Sequence, residues 1–264
     1  MRDVTVNGVR LHYLDKGEGP AIVLVHGFQS SAFAFHPIID RLAESFRVLA
    51  LDLRGHGDSE RPAGPYRIQD FSDDVLAFID VLGLERVDYM GQSMGGRTGT
   101  LFGVEHSDRL NRLMLVSSSA GPPSGDYRAH FERLLAQAGR EGMAAIFDSE
   151  NYQSRVPPQL RVGELARELR ERFLKNTPET YAATANALFT MPDLVCRLGE
   201  IGAPTWVCHG ENDAGPLDFS EVYLEGVPTC RRVIIAGSGH HPIWDNTGEF
   251  MDEVGAFLAE FPVG

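Results

Sequence analysis

Short apolar runs that alternate with helical patterns are the feature of this sequence that most restricts its fold. Each run has the length of a strand, and several are rich in β-branched residues, such as the run Ala-Ile-Val-Leu-Val at 21–25. Strands buried on both faces of a parallel sheet have this composition, and their alternation with helices indicates βαβ units. We therefore predict an α/β fold with a mostly parallel central sheet flanked by helices, and strands at 4–6, 9–13, 21–25, 46–51, 87–90, 113–116, 204–208 and 232–236.

The first two runs and the middle of the chain depart from this alternation. The pair Asn7-Gly8 separates the first two runs, and because both residues tolerate positive φ, it predicts an antiparallel hairpin. Residues 120–198 contain helical patterns but no strand pattern. We therefore expect an α/β core formed by 1–119 and 199–264, with 120–198 inserted as a helical lid.

Composition limits the classes of partner that the chain is expected to have. The 264 residues include 37 acidic and 24 basic side chains, which gives a net charge of −13 and disfavours binding to nucleic acid or to anionic membranes. The three cysteines Cys196, Cys208 and Cys230 are too few and too far apart for a disulfide framework or a zinc cluster. The sequence shows neither the apolar segment of a signal peptide nor a membrane span. We expect a cytoplasmic protein with a small-molecule substrate and no metal or cofactor, and the oligomeric state stays open.

A serine between glycines marks the most informative junction between a strand and a helix. The segment Gly-Gln-Ser-Met-Gly-Gly at 91–96 follows an apolar run and begins a helical pattern. A nucleophile in such a turn needs small neighbours two positions away on each side, and Gly91 and Gly95 provide them. We therefore predict that Ser93 is a nucleophile exposed at the end of a strand.

Three further candidate segments also follow strands directly. His-Gly-Phe at 26–28 follows the run at 21–25, Asp213 lies in a turn after the run at 204–208, and His240 lies after the run at 232–236. Ligands of open α/β sheets bind at the carboxyl ends of the strands, so these residues are expected to meet at one edge of the sheet. An acid, a histidine and a serine at such an edge can perform nucleophilic catalysis.

Together these segments resemble the α/β-hydrolase superfamily in its serine-nucleophile branch. The matching stretches occur in the family's order at 26–28, 52–59, 91–96, 210–213 and 239–240. The resemblance implies that Ser93 is the nucleophile, His240 the general base and Asp213 the acid that orients it. It also implies that the backbone N–H groups of Phe28 and Met94 form the oxyanion hole.

The sequence offers alternative residues for the acid and the base of the triad. Glu211 and His241 are close neighbours of the favoured acid and base, whereas His56 and His209 are expected to be structural. No glycine-rich nucleotide loop or metal-binding histidine motif is present. A serine at position 93 also differs from the aspartate that epoxide hydrolases and haloalkane dehalogenases use there.

The expected activity is cleavage of a carboxylic ester through an acyl-enzyme intermediate. The Ser-Met-Gly-Gly run is also similar to that of hydrolases of carbon–carbon bonds in ring-cleavage products and of enol-lactonases. With the following Arg97 it is similar to that of a pyruvate-eliminating synthase of the menaquinone pathway. A low-turnover receptor on the same fold is a further alternative, because the fold alone does not choose among these functions.

The residues predicted to bind substrate are less directly indicated by the sequence. Arg97 lies one helical turn after Ser93, where it either binds a substrate carboxylate or pairs with acids on the surface of the helix. Apolar residues of the predicted lid and the segment after His240 are candidates for the pocket wall. They are Phe147, Leu188, Phe189, Met191 and Trp244.

Overall fold

The computed structural model describes residues 1–123, 125–213 and 218–263, and an eight-stranded sheet forms its centre. The strand order is β1-β2-β4-β3-β5-β6-β7-β8; β1 and β2 pair antiparallel with their neighbours, and all other pairs are parallel. The predicted fold class is confirmed. The strands are β1 (Arg2–Val6), β2 (Val9–Lys16), β3 (Ala21–Val25), β4 (Arg47–Leu51), β5 (Val87–Gln92), β6 (Leu110–Val116), β7 (Thr205–Gly210) and β8 (Cys230–Ile235).

The local sequence explains the opening hairpin and the central strand. Asn7 and Gly8 have φ values of 49° and 74°, so the turn between β1 and β2 uses the conformation that the Asn-Gly pair favours. Every residue of β3 is buried. Val23 and Val25 pack into the core on one face of the sheet, whereas Ile22 and Leu24 pack into the core on the other face.

Helices cover both faces of this sheet. Apolar residues of α2, α3 and α8 belong to the core on the side of Val23, and those of α1 and α10 to the core on the opposite side. Among the described residues, no helix is long and apolar enough to cross a membrane. The bounds of the helices outside the inserted segment are α1 (His36–Leu42), α2 (Ile68–Val81), α3 (Met94–Glu105), α8 (Asp218–Gly226), α9 (Pro242–Asp245) and α10 (Thr247–Glu260).

Four helices lie between β6 and β7, where the sequence has its helical segment. They are α4 (Gly125–Phe147), α5 (Glu150–Gln153), α6 (Gly163–Phe173) and α7 (Pro178–Phe189). We call α4–α7 the inserted helices. The sequence of this segment predicts separate helices at 127–138 and 141–147. They form one kinked helix, because Gly142 takes φ 81° and ψ 174° inside α4. Their function as a lid stays a prediction.

Candidate active site

Ser93 occupies a strained turn between β5 and α3. Its φ of 53° and ψ of −111° are rare for a residue with a side chain, and strain of this kind is typical of functional sites. The turn is as tight as the sequence predicts. A Cβ on Gly91 would overlap the carbonyl group of Gly95, and a Cβ on Gly95 would overlap that of Val25. Glycine is therefore required at both positions.

His240 and Asp213 lie in the loops that follow β8 and β7. The Nδ1 atom of His240 is 3.0 and 3.1 Å from the two carboxylate oxygens of Asp213. The carboxylate only accepts hydrogen bonds, so Nδ1 carries the proton and Nε2 is left as an acceptor. The side chain of Asp213 is 6% exposed, whereas that of His240 is 36% exposed. This geometry suits an acid that orients a histidine whose other nitrogen acts as a base.

Two side chains that the sequence did not single out hold the loop of His240. Gln92 donates through Nε2 to the carbonyl oxygen of His240 (3.2 Å) and to Nδ1 of His241 (2.9 Å). Asp245 accepts a hydrogen bond from the backbone N–H of Gly239 at 2.9 Å. Gln92 is the variable residue of the Gly-x-Ser motif, so no motif rule indicates its contact with a residue 148 positions away.

Ser93 and His240 line the same cavity. Among the described residues, the Ser93 hydroxyl and the His240 ring do not form a hydrogen bond with each other. Contacts between a nucleophile and its base are often long without substrate and shorten in the complex. Ser93 and His240 therefore both line a cavity that a substrate can enter.

The two predicted oxyanion donors belong to segments that adjoin Ser93. Met94 is the first residue of α3, so its N–H has no acceptor within the helix. The N–H of Phe28 has no hydrogen-bond acceptor in the described part of the chain. The loop of Phe28 packs closely on the serine, because a Cβ on Gly27 would lie 3.2 Å from that of Ser93. Neither N–H group has a hydrogen-bond acceptor among the described residues, and their role as oxyanion donors stays a prediction.

His26 shapes this loop from the buried side. Its Nδ1 donates to the carbonyl oxygen of Gly27 (2.7 Å), and its Nε2 accepts from the N–H of Leu53 (3.1 Å). Burial lowers the pKa of His26 to about 4, so its ring is neutral at pH 7. His56 packs edge-on against it at 5.0 Å and is itself fully buried. Both histidines therefore have structural contacts, as the sequence predicts for His56.

The alternatives to the triad have contacts of their own. Glu211 is exposed and accepts a hydrogen bond from the N–H of Gly237 at 2.8 Å. His209 is buried near the end of β7, with Nε2 3.0 Å from the carbonyl oxygen of Ser118. Desolvation lowers the pKa of His241 to about 3, and its Nδ1 accepts from Gln92. None of these three contacts orients a base toward Ser93.

The cavity above Ser93 has a volume of about 170 Å³ and a largely aromatic wall. The wall combines residues of the His26 loop, the loop of His240 and the inserted helices. Its polar side chains outside the candidate triad include Asn151 and Arg155. The aromatic residues are Phe28, Phe33, Tyr127, Phe131, Tyr152, Tyr181 and Trp244.

Only Trp244 of the six predicted substrate residues lines this cavity. Its indole N–H donates to the carbonyl oxygen of Ala34 at 2.8 Å, which fixes the ring in the wall. Phe147 instead packs in an aromatic cluster with Tyr152 and Phe173. The other apolar candidates, Leu188, Phe189 and Met191, pack in or against the core that contains α2 and α3.

Arg97 is buried beneath the inserted helices. Its guanidinium donates to the carbonyl oxygen of Gly121 (2.7 Å) and lies 3.9 Å from the sulfur of Met191. Burial lowers the pKa of Arg97, and no carboxylate pairs with it within the described ranges. The alternative of a surface arginine paired with acids is therefore wrong. Arg97 does not line the cavity above Ser93 either.

Comparison with known proteins agrees with this fold. The family model described as "alpha/beta hydrolase fold" matches residues 20–247. An (E)-2-((N-methylformamido)methylene)succinate hydrolase of Acinetobacter baylyi is 30% identical over 83% of this chain and 81% of its own.

Two solved structures are similar over nearly the whole chain. One is the enol-lactonase of Burkholderia xenovorans, with a TM-score of 0.86 and 30% identity over 98% of this chain and 100% of its own. The other is a thermophilic esterase of Thermogutta terrifontis with malate bound, with a TM-score of 0.86 and 26% identity over the full length of both chains. The chain thus belongs to the α/β-hydrolase superfamily.

Proposed function

We propose that this chain is a serine hydrolase that cleaves a carboxylic ester through an acyl-enzyme on Ser93. The observation that carries the proposal is the strained turn of Ser93 at a cavity that also contains the Asp213-oriented His240. Strain at a serine is costly and has no evident packing reason here, whereas it exposes a nucleophile. The Thermogutta protein, which is 26% identical to this chain, is an esterase by name.

The reaction follows from the positions of the three side chains. His240 Nε2 removes the proton of the Ser93 hydroxyl while Oγ attacks the carbonyl carbon of the ester. The N–H groups of Phe28 and Met94 stabilise the negative oxygen of the tetrahedral intermediate. The bond to the leaving oxygen then breaks, and His240 returns the proton to it. Water, deprotonated by the same histidine, attacks the acyl-enzyme and releases the acid.

The inserted helices are proposed to act as a lid over this reaction. They contribute Tyr127, Phe131, Asn151 and Tyr181 to the cavity wall. A wall of this kind keeps water from the acyl-enzyme except where the cavity opens, and it restricts the size of the acyl group.

Lactone cleavage is the second candidate function. The similarity to the Burkholderia enol-lactonase extends over the whole of that protein, at 30% identity. A lactone is a cyclic ester, so the same serine, histidine and oxyanion donors perform the reaction, with the leaving oxygen retained in the product. Turnover rates on a panel of linear esters and lactones distinguish ester cleavage from lactone cleavage.

The test combines a substrate panel with a serine-directed probe. We expect turnover of p-nitrophenyl esters of short or medium acyl length, and labelling of one serine by a p-nitrophenyl phosphonate that mass spectrometry maps to Ser93. Ser93→Ala is expected to lower kcat by about 10⁴-fold or more while circular dichroism is unchanged. Ser30→Ala, at another serine of the cavity wall, is the matched control and keeps both labelling and turnover.

Two results would overturn the proposal. Turnover of Ser93→Ala at the wild-type level would exclude Ser93 as nucleophile. Release of one equivalent of product without further turnover on esters and lactones would instead indicate a low-turnover receptor.

A further inference from the structure

The cavity above Ser93 has a single permanently charged side chain in its wall, as far as the structure describes it. That side chain is Arg155, which follows α5 in the inserted helices. No aspartate or glutamate is among the residues that line the cavity. The charge in this wall is therefore opposite in sign to the net charge of the chain, which is −13.

The guanidinium of Arg155 has no carboxylate partner among the described residues. Some arginines of the inserted helices have partners, since Arg170 lies 3.3 Å from Asp148 and Arg172 lies 2.8 Å from Glu168. Arg167 has none among the described residues, but unlike Arg155 it does not line the cavity. The backbone N–H of Arg155 is used, since it donates to the carbonyl oxygen of Tyr152 at 3.0 Å. Arg155 is exposed, so the five donors of its guanidinium are open to solvent and to an acceptor at the cavity that it lines.

The charge of Arg155 acts on groups from several elements that face it. Burial raises the pKa of Tyr127 in α4, and the positive charges of Arg97 and Arg155 oppose that increase. Burial lowers the pKa of His241, and the charges of His240 and Arg155 add to the decrease while Asp213 opposes it. The charge of Arg155 thus acts on groups in the inserted helices and in the loop of His240, and the carboxylate of Asp213 opposes it at both.

One tyrosine among the residues of this wall has an unpaired hydroxyl. Tyr181 in α7 is 2% exposed, its ring contributes to the cavity wall, and its hydroxyl has no hydrogen-bond partner within the described part of the chain. A buried hydroxyl without a partner costs free energy, and an oxygen acceptor at the cavity removes that cost. Asn151 adds a second neutral polar group to the wall.

We propose that Arg155 binds a free carboxylate of the substrate, so that the preferred substrates are esters or lactones whose acyl part ends in a second, ionised carboxyl group. This inference names the substrate class of the proposed serine hydrolase and rests on that function. The scissile carbonyl lies at Ser93, and the aromatic wall contacts the carbon chain between the two ends. A guanidinium matches a carboxylate through two parallel hydrogen bonds, which also fixes the direction in which the acyl chain enters.

The kinetic test compares two substrates with the same number of acyl carbons. Mono-p-nitrophenyl adipate has a terminal carboxylate, and p-nitrophenyl hexanoate has a methyl group in its place. We expect a higher kcat/KM for the adipate. Arg155→Gln is expected to lower that value about 10- to 100-fold, chiefly through KM, and to change the value for the hexanoate less than about twofold. Arg155→Lys is expected to recover part of the loss, because it keeps the charge but not the paired geometry.

Arg167→Gln is the matched control. Arg167 in α6 is an exposed arginine without an ion-pair partner among the described residues, and it does not line the cavity. The Arg167→Gln substitution also removes one positive charge from the inserted helices. It is expected to leave kcat/KM unchanged for both the adipate and the hexanoate ester. Equal losses for adipate and hexanoate in Arg155→Gln, or no loss for either, would overturn the proposal.

A binding measurement separates this proposal from the hydrolase function. Adipate is titrated by calorimetry into Ser93→Ala and into the double variant that also carries Arg155→Gln. Binding that Arg155→Gln weakens about tenfold or more supports the carboxylate site even if no ester is cleaved. Equal binding, or none, to the two proteins counts against Arg155, whereas ester turnover that does not depend on Arg155 leaves the hydrolase function intact.

Discussion

At the scale of single residues, the side chain of Gln92 connects the turn of Ser93 with the loop of His240. Ser93 belongs to the turn after β5, whereas His240 follows β8, at the far end of the sheet order. Gln92 connects them directly, because its amide contacts both the backbone of His240 and the ring of His241. We therefore assign Gln92 as a positioning residue for the proposed base.

Replacement of Gln92 tests this assignment. Gln92→Leu removes both hydrogen bonds and leaves the His241 Nδ1 atom unpaired. We expect kcat for ester cleavage to fall about tenfold with little change in KM, because the base is misplaced while the cavity wall is kept. The readout is the pH dependence of kcat, which should shift in Gln92→Leu. An unchanged pH profile with a lower melting temperature would mean that Gln92 serves stability alone.

At the scale of elements, the kink of α4 sets the course of the inserted helices. The segment after Gly142 directs Met143, Ile146 and Phe147 into a cluster that also contains Phe173 and Tyr181. Ile146 and Tyr181 are also part of the cavity wall. The positive φ at Gly142 is therefore a condition for the shape of the cavity.

Two glycines of α4 are expected to respond to alanine in opposite ways. At both Gly139 and Gly142, a Cβ would meet no atom within 4 Å, so space is equal at the two positions. Gly142→Ala forces a side chain into positive φ and is expected to destabilise the protein by about 1 kcal/mol or more. Gly139→Ala lies in regular helix and is expected to stabilise it by up to about 1 kcal/mol. Thermal unfolding measures both, and a stabilised Gly142→Ala would show that the kink is not required.

At the scale of the whole molecule, two neutral histidines are enclosed between the sheet and its loops. His26 and His56 are 0% and 1% exposed, and their rings contact each other. Burial lowers the pKa of His26 to about 4 and that of His56 to about 3, from an ordinary value of 6.5. A proton on His26 Nε2 would also break its hydrogen bond with the N–H of Leu53. The fold therefore requires both rings to stay neutral.

This requirement predicts a loss of stability in mild acid. Between pH 6.5 and about 4, the unfolded chain binds protons on these histidines and the folded chain does not, so the free energy of unfolding decreases as the pH falls. The expected loss is about 1 to 2 kcal/mol for each histidine at pH 5 relative to pH 7.5. Urea unfolding at the two pH values measures it. His56→Gln removes one of the two groups that bind a proton only in the unfolded chain. The slope of the unfolding free energy against pH is therefore expected to decrease by the amount of about one proton. An unchanged slope would contradict the explanation.

The sequence by itself determined the features that depend on neighbouring residues. Apolar runs fixed the strands, the Asn7-Gly8 pair fixed the hairpin turn, and Gly91 and Gly95 marked the turn of Ser93, because each is a local constraint on the backbone. The carboxyl ends of parallel strands lie at one edge of the sheet, so even the approach of Asp213 and His240 followed from order along the chain.

Only the tertiary structure decided which side chains reach the cavity. Arg97 is four residues from Ser93 yet is buried against Gly121, whereas Arg155 is 62 positions away and lies in the cavity wall. Periodicity shows that a helix has an apolar face, but the packing of the helix determines whether that face meets the core or the cavity. For the inserted helices that packing depends on contacts distant in sequence, and no local pattern contains them.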